Sequence, residues 1–505
     1  MNLDKIDWVS VSISIILSFI GILTLYGGGG QGEALAIKKI IWLLLGLLIM
    51  FALAYVNYQV IGSYAPLLFG IGIFLLVITL IPFIGTKVKG ARSWIRFFGF
   101  GFQPAEFMKL ALVITLCKYL VYRETEIGKF KELFIPFLIT AFPLLLLAAQ
   151  PDLGYAILFL PILFVLLFIG GANIAVITGF AIVGFSALFI PMFIEYQRFI
   201  MVDDLVDFLK ENHFKLADAI RILKFEVWQF ADNPALAVNF NGSSLEKWSV
   251  SILTKPENLK IFHNAVASLE AEHPSFIRDF MRNNLAIFLT TIVSLIFYGL
   301  GLLGNFMTGK IWMKRASTFF IILALAISGT FAFKTFVKFK PHQVVRVVSF
   351  ANPDKFSKDA GYQLRHSLIT LGSGQLAGKG FGKSDMTRGE VPFLPEWYND
   401  FIFSVIGEQF GVFGTIITLL LLFGLVFRGI TIAIQSKDDY GALLASGITA
   451  IFFLHILINT GITMGLFPVT GIPLPFVSYG GSNMISSFAA LGILQNINRR
   501  RHINA

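Results

Sequence analysis

The sequence predicts an all-α polytopic membrane protein of about twelve transmembrane helices, with a small helical domain outside the bilayer. Three observations predict it. Of 505 residues, 56% are hydrophobic and only 14% charged, with 54 Phe, more apolar surface than a soluble core can enclose. Apolar runs of 17 or more residues recur along the chain, among them Tyr64 to Pro82, Ala286 to Gly304 and Ala316 to Phe333, each long enough for the ~30 Å hydrocarbon layer. The basic clusters of the short loops fall on one side when the number of spans is even.

In order, the spans are expected at 8–27, 40–57, 64–83, 105–122, 133–150, 153–170, 174–194, 286–304, 316–336, 401–427, 441–464 and 478–496. The opening Met-Asn-Leu-Asp-Lys-Ile-Asp has neither a basic n-region nor a small-residue cleavage site, so the first run is expected to stay as a helix. Lys310, Lys314 and Arg315 follow span eight, and Arg499, Arg500 and Arg501 follow span twelve, which places both clusters and the amino terminus in the cytoplasm. Cys117 is the single cysteine, which excludes an internal disulfide and a thiolate metal cluster. The net charge of +10 suits anionic lipid surfaces or anionic substrates.

Two long segments then lie outside. Segment 195–285 sets ten basic residues against thirteen acidic ones, a net of −3. Its apolar residues Leu205, Phe208, Leu209, Leu216, Ile220 and Leu223, then Leu259, Phe262, Val266 and Leu269, recur at helical spacing and predict a small helical domain. Segment 338–399 carries a net of +4 and Gly-rich stretches with little periodicity, a pattern of functional or disordered loops. The loop from Gly85 to Pro104 also puts Lys87, Lys89, Arg92 and Arg96 outside, against the usual bias. It reads either as a basic substrate surface or as a stretch, Trp94-Ile95-Arg96-Phe97-Phe98, lying in the interface.

Glu396-Trp397-Tyr398-Asn399-Asp400 runs into Phe401-Ile402-Phe403, a carboxylate pair at the outer mouth of span ten. Asn399 or Asp400 there would cap the helix, accepting orphan N–H groups at its positive end. The same place suits a general base, because partial desolvation moves a carboxyl toward the useful range. Position alone leaves both readings open. Asp152, in Gln150-Pro151-Asp152-Leu153-Gly154, and Glu106 occupy comparable outer positions. Glu106 and Lys109 share a helix face and can neutralise each other. Glu408, inside span ten, needs a partner or a wet cavity, while His455 and Asn459 read as interhelical hydrogen bonds rather than ligands.

The stretch from Gly372 to Ser384 fails as a phosphate loop, because the required first glycine falls on Ala377 or Ser373 and no strand–loop–helix context flanks it. Lys379 and Lys383 on flexible backbone would still suit a lipid pyrophosphate. No HExxH, GxSxG, paired cysteine ligands or nucleic-acid module is present.

Several stretches, in this order, resemble the SEDS family of cell-wall proteins (shape, elongation, division and sporulation), above all its RodA branch. They are Gly90-Ala91-Arg92-Ser93-Trp94-Ile95, Phe102-Gln103-Pro104-Ala105-Glu106, Gln150-Pro151-Asp152-Leu153-Gly154, Gly361-Tyr362-Gln363, Phe393-Leu394-Pro395-Glu396 with Asn399-Asp400-Phe401-Ile402-Phe403, and Pro468-Val469-Thr470-Gly471-Ile472-Pro473-Leu474-Pro475-Phe476-Val477-Ser478-Tyr479-Gly480-Gly481-Ser482. The resemblance implies a lipid-II-dependent peptidoglycan glycosyltransferase for cell elongation and shape, in the cytoplasmic membrane with its active site on the outer face beside a class B penicillin-binding protein. It implies Asp400 as the essential carboxylate, with Asn399 where the family usually has Thr, and Glu106 and Lys109 as a functional pair. Arg346 matches an arginine before a Phe-x-x-Pro segment. The substrate-binding set expected on these grounds is Arg92, Arg96, Glu106, Lys109, Asp152, Arg346, Lys379, Glu396 and Ser478.

The family usually has ten spans, so spans seven and eight with 195–285 read as an insertion. That gives amino-terminal helices at 1–174, the insertion at 175–304, a core helix at 305–337, a catalytic loop at 338–399 and carboxyl-terminal helices at 400–505. Tyr196-Gln197-Arg198 echoes a family Tyr-Gln-Arg and leaves a second insertion point open. A divalent cation, Mg2+ or Mn2+, would share the leaving pyrophosphate, although no ligand cluster identifies one, and membrane lipids are expected contacts. The rivals are an FtsW-like division polymerase, which shares these motifs, and a lipid-linked precursor flippase, which needs a polar cavity but no catalytic base.

Overall fold

The computed structural model describes residues 5–88, 91–97, 100–124, 130–150, 152–336, 346–347, 349–350, 360–387 and 393–501. Two compact units emerge, Met1–Ile177 with Ser349–Ala505, and Thr178–Val348.

The first half of unit one holds α1 (Trp8–Gly27), α2 (Gln31–Tyr55), the short α3 (Tyr58–Ser63), α4 (Ala65–Leu80), α5 (Pro104–Tyr122), α6 (Phe130–Ala149) and α7 (Leu153–Ile169). Between α4 and α5 the basic loop folds as an antiparallel sheet of β1 (Gly85–Val88), β2 (Ala91–Phe97) and β3 (Phe100–Phe102). Apart from this short sheet the described elements are helical, as the all-α expectation requires. Alternation explains the sheet: Ile95 is buried while its neighbour Arg96 is exposed, as the period of two in a strand requires.

The long helix α8 (Ile174–Leu209) enters unit two, where α9 (Phe214–Leu223), α10 (Val227–Asp232), α11 (Ser244–Leu253), α12 (Pro256–Glu272) and α13 (Phe276–Arg282) follow. The helix does not end at 194, where the expected span ends. The chain from Pro191 to Leu209 contains no glycine, and Glu195 and Arg198 pair across one turn at 3.3 Å, so the helix continues into the domain. Leu205, Leu216, Ile220, Leu223, Trp228, Phe262 and Val266 form its core, with Trp228 edge-on to Phe262 at 5.2 Å. Phe208, expected inside, is exposed. A hairpin of α14 (Asn284–Thr308) and α15 (Ile311–Phe336) completes the unit; Gly309, at φ 67°, closes α14 in the left-handed conformation that favours glycine. Unit two thus takes in the 316–336 helix that the sequence assigns to the core.

Unit one resumes with α16 (Ala360–Ser373), α17 (Ile402–Ile434), α18 (Asp439–Thr463) and α19 (Gly481–Arg500). A helix of this length within 338–399 is missed by a periodicity reading, because Gly361, Gln363, Arg365 and Ser367 interrupt the apolar positions. Packing of α2 on α19, α1 on α17, and α18 on α5 and α7 builds one core around Leu17, Leu112, Phe159, Ile448 and Phe488.

Among the described residues, eight helices are long and apolar enough to cross a membrane, and Ala65–Leu80 and Gly154–Ile169 are shorter apolar helices. The two further expected spans are the helices α5 and α19, which bury polar residues, Glu106 and Lys109 in one and Asn483, Gln495 and Asn496 in the other.

Candidate active site

Asp400 sits in the turn that leads into α17 and is 5% exposed. The cap residue of α17 is Phe401, with no side chain capping the helix, so the capping reading of Asn399 and Asp400 is not what is observed. Asp400 is held through its backbone: its N–H donates to Glu396 O at 3.3 Å, and its carbonyl accepts from Asn459 Nδ2 at 3.1 Å. The loop from Thr470 to Gly480 braces the same turn. Ser478 Oγ donates to Asn399 O at 2.6 Å, and Tyr479 N–H donates to Tyr398 O at 2.9 Å. Phe476 in that loop has φ 63°, a conformation a bulky residue adopts only when its surroundings dictate it. Phe452 and Phe488 supply those surroundings, with ring centroids 5.6 and 4.9 Å away.

Glu396 lies beside Asp400 and accepts from Asn399 Nδ2 at 3.1 Å. Burial, then the charge and hydrogen bond of Glu396, then the charge of Asp400 push the Tyr398 phenol above its usual range.

A second polar chain runs through the helix interior. Glu106, at the start of α5 and wholly buried, accepts from Tyr155 Oη at 2.5 Å and Ser486 Oγ at 2.6 Å and pairs with Lys109 Nζ at 2.6 Å. Lys109 also meets His455 Nε2 at 3.0 Å, while His455 Nδ1 lies 2.9 Å from Pro473 O. A carbonyl only accepts, so Nδ1 carries the proton and Nε2 accepts from the ammonium. One turn along α18, Asn459 Nδ2 donates to Ile472 O at 2.8 Å as well as to Asp400 O. The expected Glu106–Lys109 pair is therefore tied by hydrogen bonds to the loop that braces Asp400. Tyr155 also stands within electrostatic reach of Asp152 and Asp400.

Glu408 finds its partner in Lys379, at 2.7 Å, with Ser384 Oγ at 2.5 Å and Asp385 N–H at 3.1 Å completing its shell. Partial desolvation lowers the Lys379 ammonium pKa, but the hydrogen bonds to Glu408 and Asp385 outweigh this and hold it above the usual range. The glycines of this stretch serve close backbone approach. A Cβ at Gly374 would fall 1.8 Å from Gly407 O, and Lys379 and Gly380 N–H donate to Glu408 O and Gln409 O at 2.8 and 3.1 Å.

Arg92, on β2, donates from Nη1 to Leu80 O at 3.3 Å, and its buried Nε has no partner among the described residues. Its own N–H donates to Gln150 O at 3.2 Å, which sets it two residues from Asp152, the cap residue of α7. Arg96 is exposed. Arg346, partly buried, belongs to unit two. Lys89, Gly90, Phe98, Pro151, the 342–345 stretch and Pro353 lie outside the described residues. Among the described residues no group of three or more His, Cys, Asp and Glu is arranged to hold a metal ion.

These braces involve stretches far apart in the chain, and a family model matches almost all of it, residues 6–221 and 258–503, as cell cycle proteins. The chain belongs to the FtsW/RodA/SpoVE family. Among curated members of similar sequence, the peptidoglycan glycosyltransferase RodA of Treponema pallidum (strain Nichols) is 29% identical over 99% of each chain. Stage V sporulation protein E of Bacillus subtilis (strain 168) is 27% identical over 98% of this chain and 97% of that one. The peptidoglycan glycosyltransferase MrdB of Escherichia coli (strain K12) is 26% identical over 99% and 95%. The fold is similar to that of the rod shape determining protein RodA of Thermus thermophilus, at TM-score 0.53 and 20% identity over 99% of each chain. It is also similar to a chain solved in work on the coordination of polymerization and crosslinking by a peptidoglycan synthase complex, at TM-score 0.57 and 21% identity over 98% of each chain.

Residues 222–257 fall outside the family match; they form the middle of the helical domain. Within the matched part, sequence reasoning misses Tyr155 and Ser486 as partners of Glu106. Tyr155 stands at the head of an apolar helix, and Ser486 sits among the serines and asparagines that make α19 unusually polar for a buried helix.

Proposed function

We propose that this FtsW/RodA/SpoVE family member is a peptidoglycan glycosyltransferase that polymerises lipid II for cell elongation, in the cytoplasmic membrane with Asp400 on the extracytoplasmic side. The observation that carries the reading is the withdrawn carboxylate of Asp400, braced through its backbone by two separate elements, in a chain whose curated relatives include glycosyltransferases. In the reaction, the 4-hydroxyl of the acceptor GlcNAc attacks C1 of the donor MurNAc. The new C1–O bond forms as the C1–O bond to phosphate breaks, with inversion, and the hydroxyl proton passes to Asp400. Undecaprenyl pyrophosphate leaves, and its developing charge is where the fixed cation of Arg92, whose Nε has no partner among the described residues, contributes most. Glu396 and Ser478 shape the turn around the base; Glu106 and Lys109 hold the interior chain behind it. Arg96, Asp152 and Lys379 complete the substrate set of unit one.

The described residues do not compose a protein-built metal cage; Mg2+ or Mn2+ would enter on the pyrophosphate itself. The partner is a class B penicillin-binding protein, and 195–285, within the insertion 175–304, is a docking or positioning domain. Purified protein supplied with fluorescent lipid II, with and without such a partner, is expected to make glycan polymer that Asp400→Asn abolishes. Transfer of lipid II across vesicle membranes with no polymer formed would overturn this reading in favour of a flippase.

A further inference from the structure

Two adjacent lysines lie in α2, a helix apolar enough to cross a membrane. Lys38 is exposed, whereas Lys39 is 1% exposed and its Nζ donates to Val477 O. Gly21 of α1 makes room for this reach, since a Cβ there would fall 2.0 Å from Nζ and 2.2 Å from Val477 O. One turn on, Trp42 grips the same loop, for a Cβ at Gly481 would lie 2.5 Å from its indole ring, and Trp42 is hydrogen-bonded to Tyr479. Two side chains on one face of α2 therefore hold residues 477–481. The next two contacts from that loop go to Asn399 O, from Ser478 Oγ at 2.6 Å, and to Tyr398 O, from Tyr479 N–H at 2.9 Å. These are the two residues before Asp400.

A buried ammonium in a membrane helix is expensive without a counter-charge, and among the described residues Lys39 has a carbonyl and no carboxylate as its partner. A methionine would fill the space at less expense, so the use of the lysine lies in the bond it makes. We propose that Lys39 is a positioning residue for Asp400, fixing Val477 so that Ser478 and Tyr479 hold the turn that aims the carboxylate. The proposal rests on the glycosyltransferase reading for its kinetic consequence alone.

The test compares wild type with Lys39→Met, which removes the donor, and Lys39→Gln, which keeps a neutral one. Polymerisation of lipid II, thermal unfolding and hydrogen–deuterium exchange are measured on the full-length protein. Lys39→Met is expected to lower kcat about tenfold or more, with KM for lipid II changed by no more than about twofold and no loss of Tm. Exchange should quicken at 474–481 and 396–401 and not elsewhere, and Lys39→Gln should recover most of kcat. A Lys39→Met protein with wild-type kcat would overturn the proposal. So would a raised KM at unchanged kcat, or an activity loss that tracks a global fall in Tm. If Lys39→Met does not fold, Lys39→Gln decides on the same criteria. Should wild type make no polymer, the glycosyltransferase reading fails; local quickening of exchange would then sustain the positioning role, and its absence would end it.

Discussion

The helical domain of unit two and the helix core of unit one both bury apolar side chains but differ in the polar groups they bury with them. In the domain, Leu205, Leu216, Ile220, Phe230 and Phe262 fill the interior, the described acids are exposed or half-buried, and the buried charge is Arg278, which faces Glu270 at 3.7 Å. In unit one the interior also holds Glu106, Lys109, Glu408, His455, Asn459 and Lys39. Burying such groups is unfavourable unless every donor and acceptor is met. The difference teaches where this chain holds charge and hydrogen-bonding capacity in fixed positions: along the path from α5 through α18 to the turn at Asp400. The domain, whose described residues bury no carboxylate, histidine or lysine, has no such group in its core to move a proton.

The largest expected effect therefore falls at Asp400. Asp400→Asn keeps the size and the backbone braces of the side chain while removing its basicity, and should lower polymerisation by about 10²–10⁴-fold with little change in Tm. Near-normal glycan synthesis by this variant would move the chemistry elsewhere in unit one.

Lys109→Met comes next. It leaves the Glu106 carboxylate buried with Tyr155 and Ser486 as its remaining donors among the described residues and takes the donor from His455 Nε2. The expected loss is about 3–5 kcal/mol of stability, with Glu106→Gln in the same chain restoring part of it. Equal Tm values for the single and double variants would mean that the pair is not coupled.

The membrane class and the family motifs around the Asp400 turn are legible in the sequence because they rest on run length and on contiguous residues. The braces are not. Glu408 reads as a buried carboxylate in need of a partner, but that partner, Lys379, lies 29 residues away in a Gly-rich loop whose approach depends on backbone geometry. Lys39 looks like any second lysine of a pair until Gly21, on another helix, makes room for it. The sheet at 85–102 hides because Gly and basic residues obscure a short alternation.

Lys379→Met tests that reading at a smaller scale. Glu408 would keep Ser384 and the Asp385 N–H, so the expected loss is about 1–3 kcal/mol. The pH dependence has a definite sign. Pairing raises the Lys379 ammonium above its usual range, so its stabilisation is present in full below about pH 10 and is lost as pH rises through the folded value. The Tm difference between wild type and Lys379→Met, followed into the alkaline range, should therefore narrow; a difference that widens there would mean that the ammonium is not what holds Glu408.

The smallest effect belongs to the domain, at a position outside the family match. Ser243 caps α11 in a reciprocal arrangement: its Oγ accepts from Glu246 N–H at 3.3 Å, and Glu246 Oε2 accepts from Ser243 N–H at 2.7 Å. Ser243→Ala removes one half of this box and should destabilise the domain by about 1 kcal/mol. Exchange should quicken along α11 and α9, which pack together, while the Asp400 turn keeps its protection and lipid II polymerisation keeps its rate. Because the cap touches no buried charge, a fall in polymerisation out of proportion to that small loss would show that the domain's apolar core is coupled to the chemistry after all, and the contrast between the two regions would no longer separate stability from catalysis.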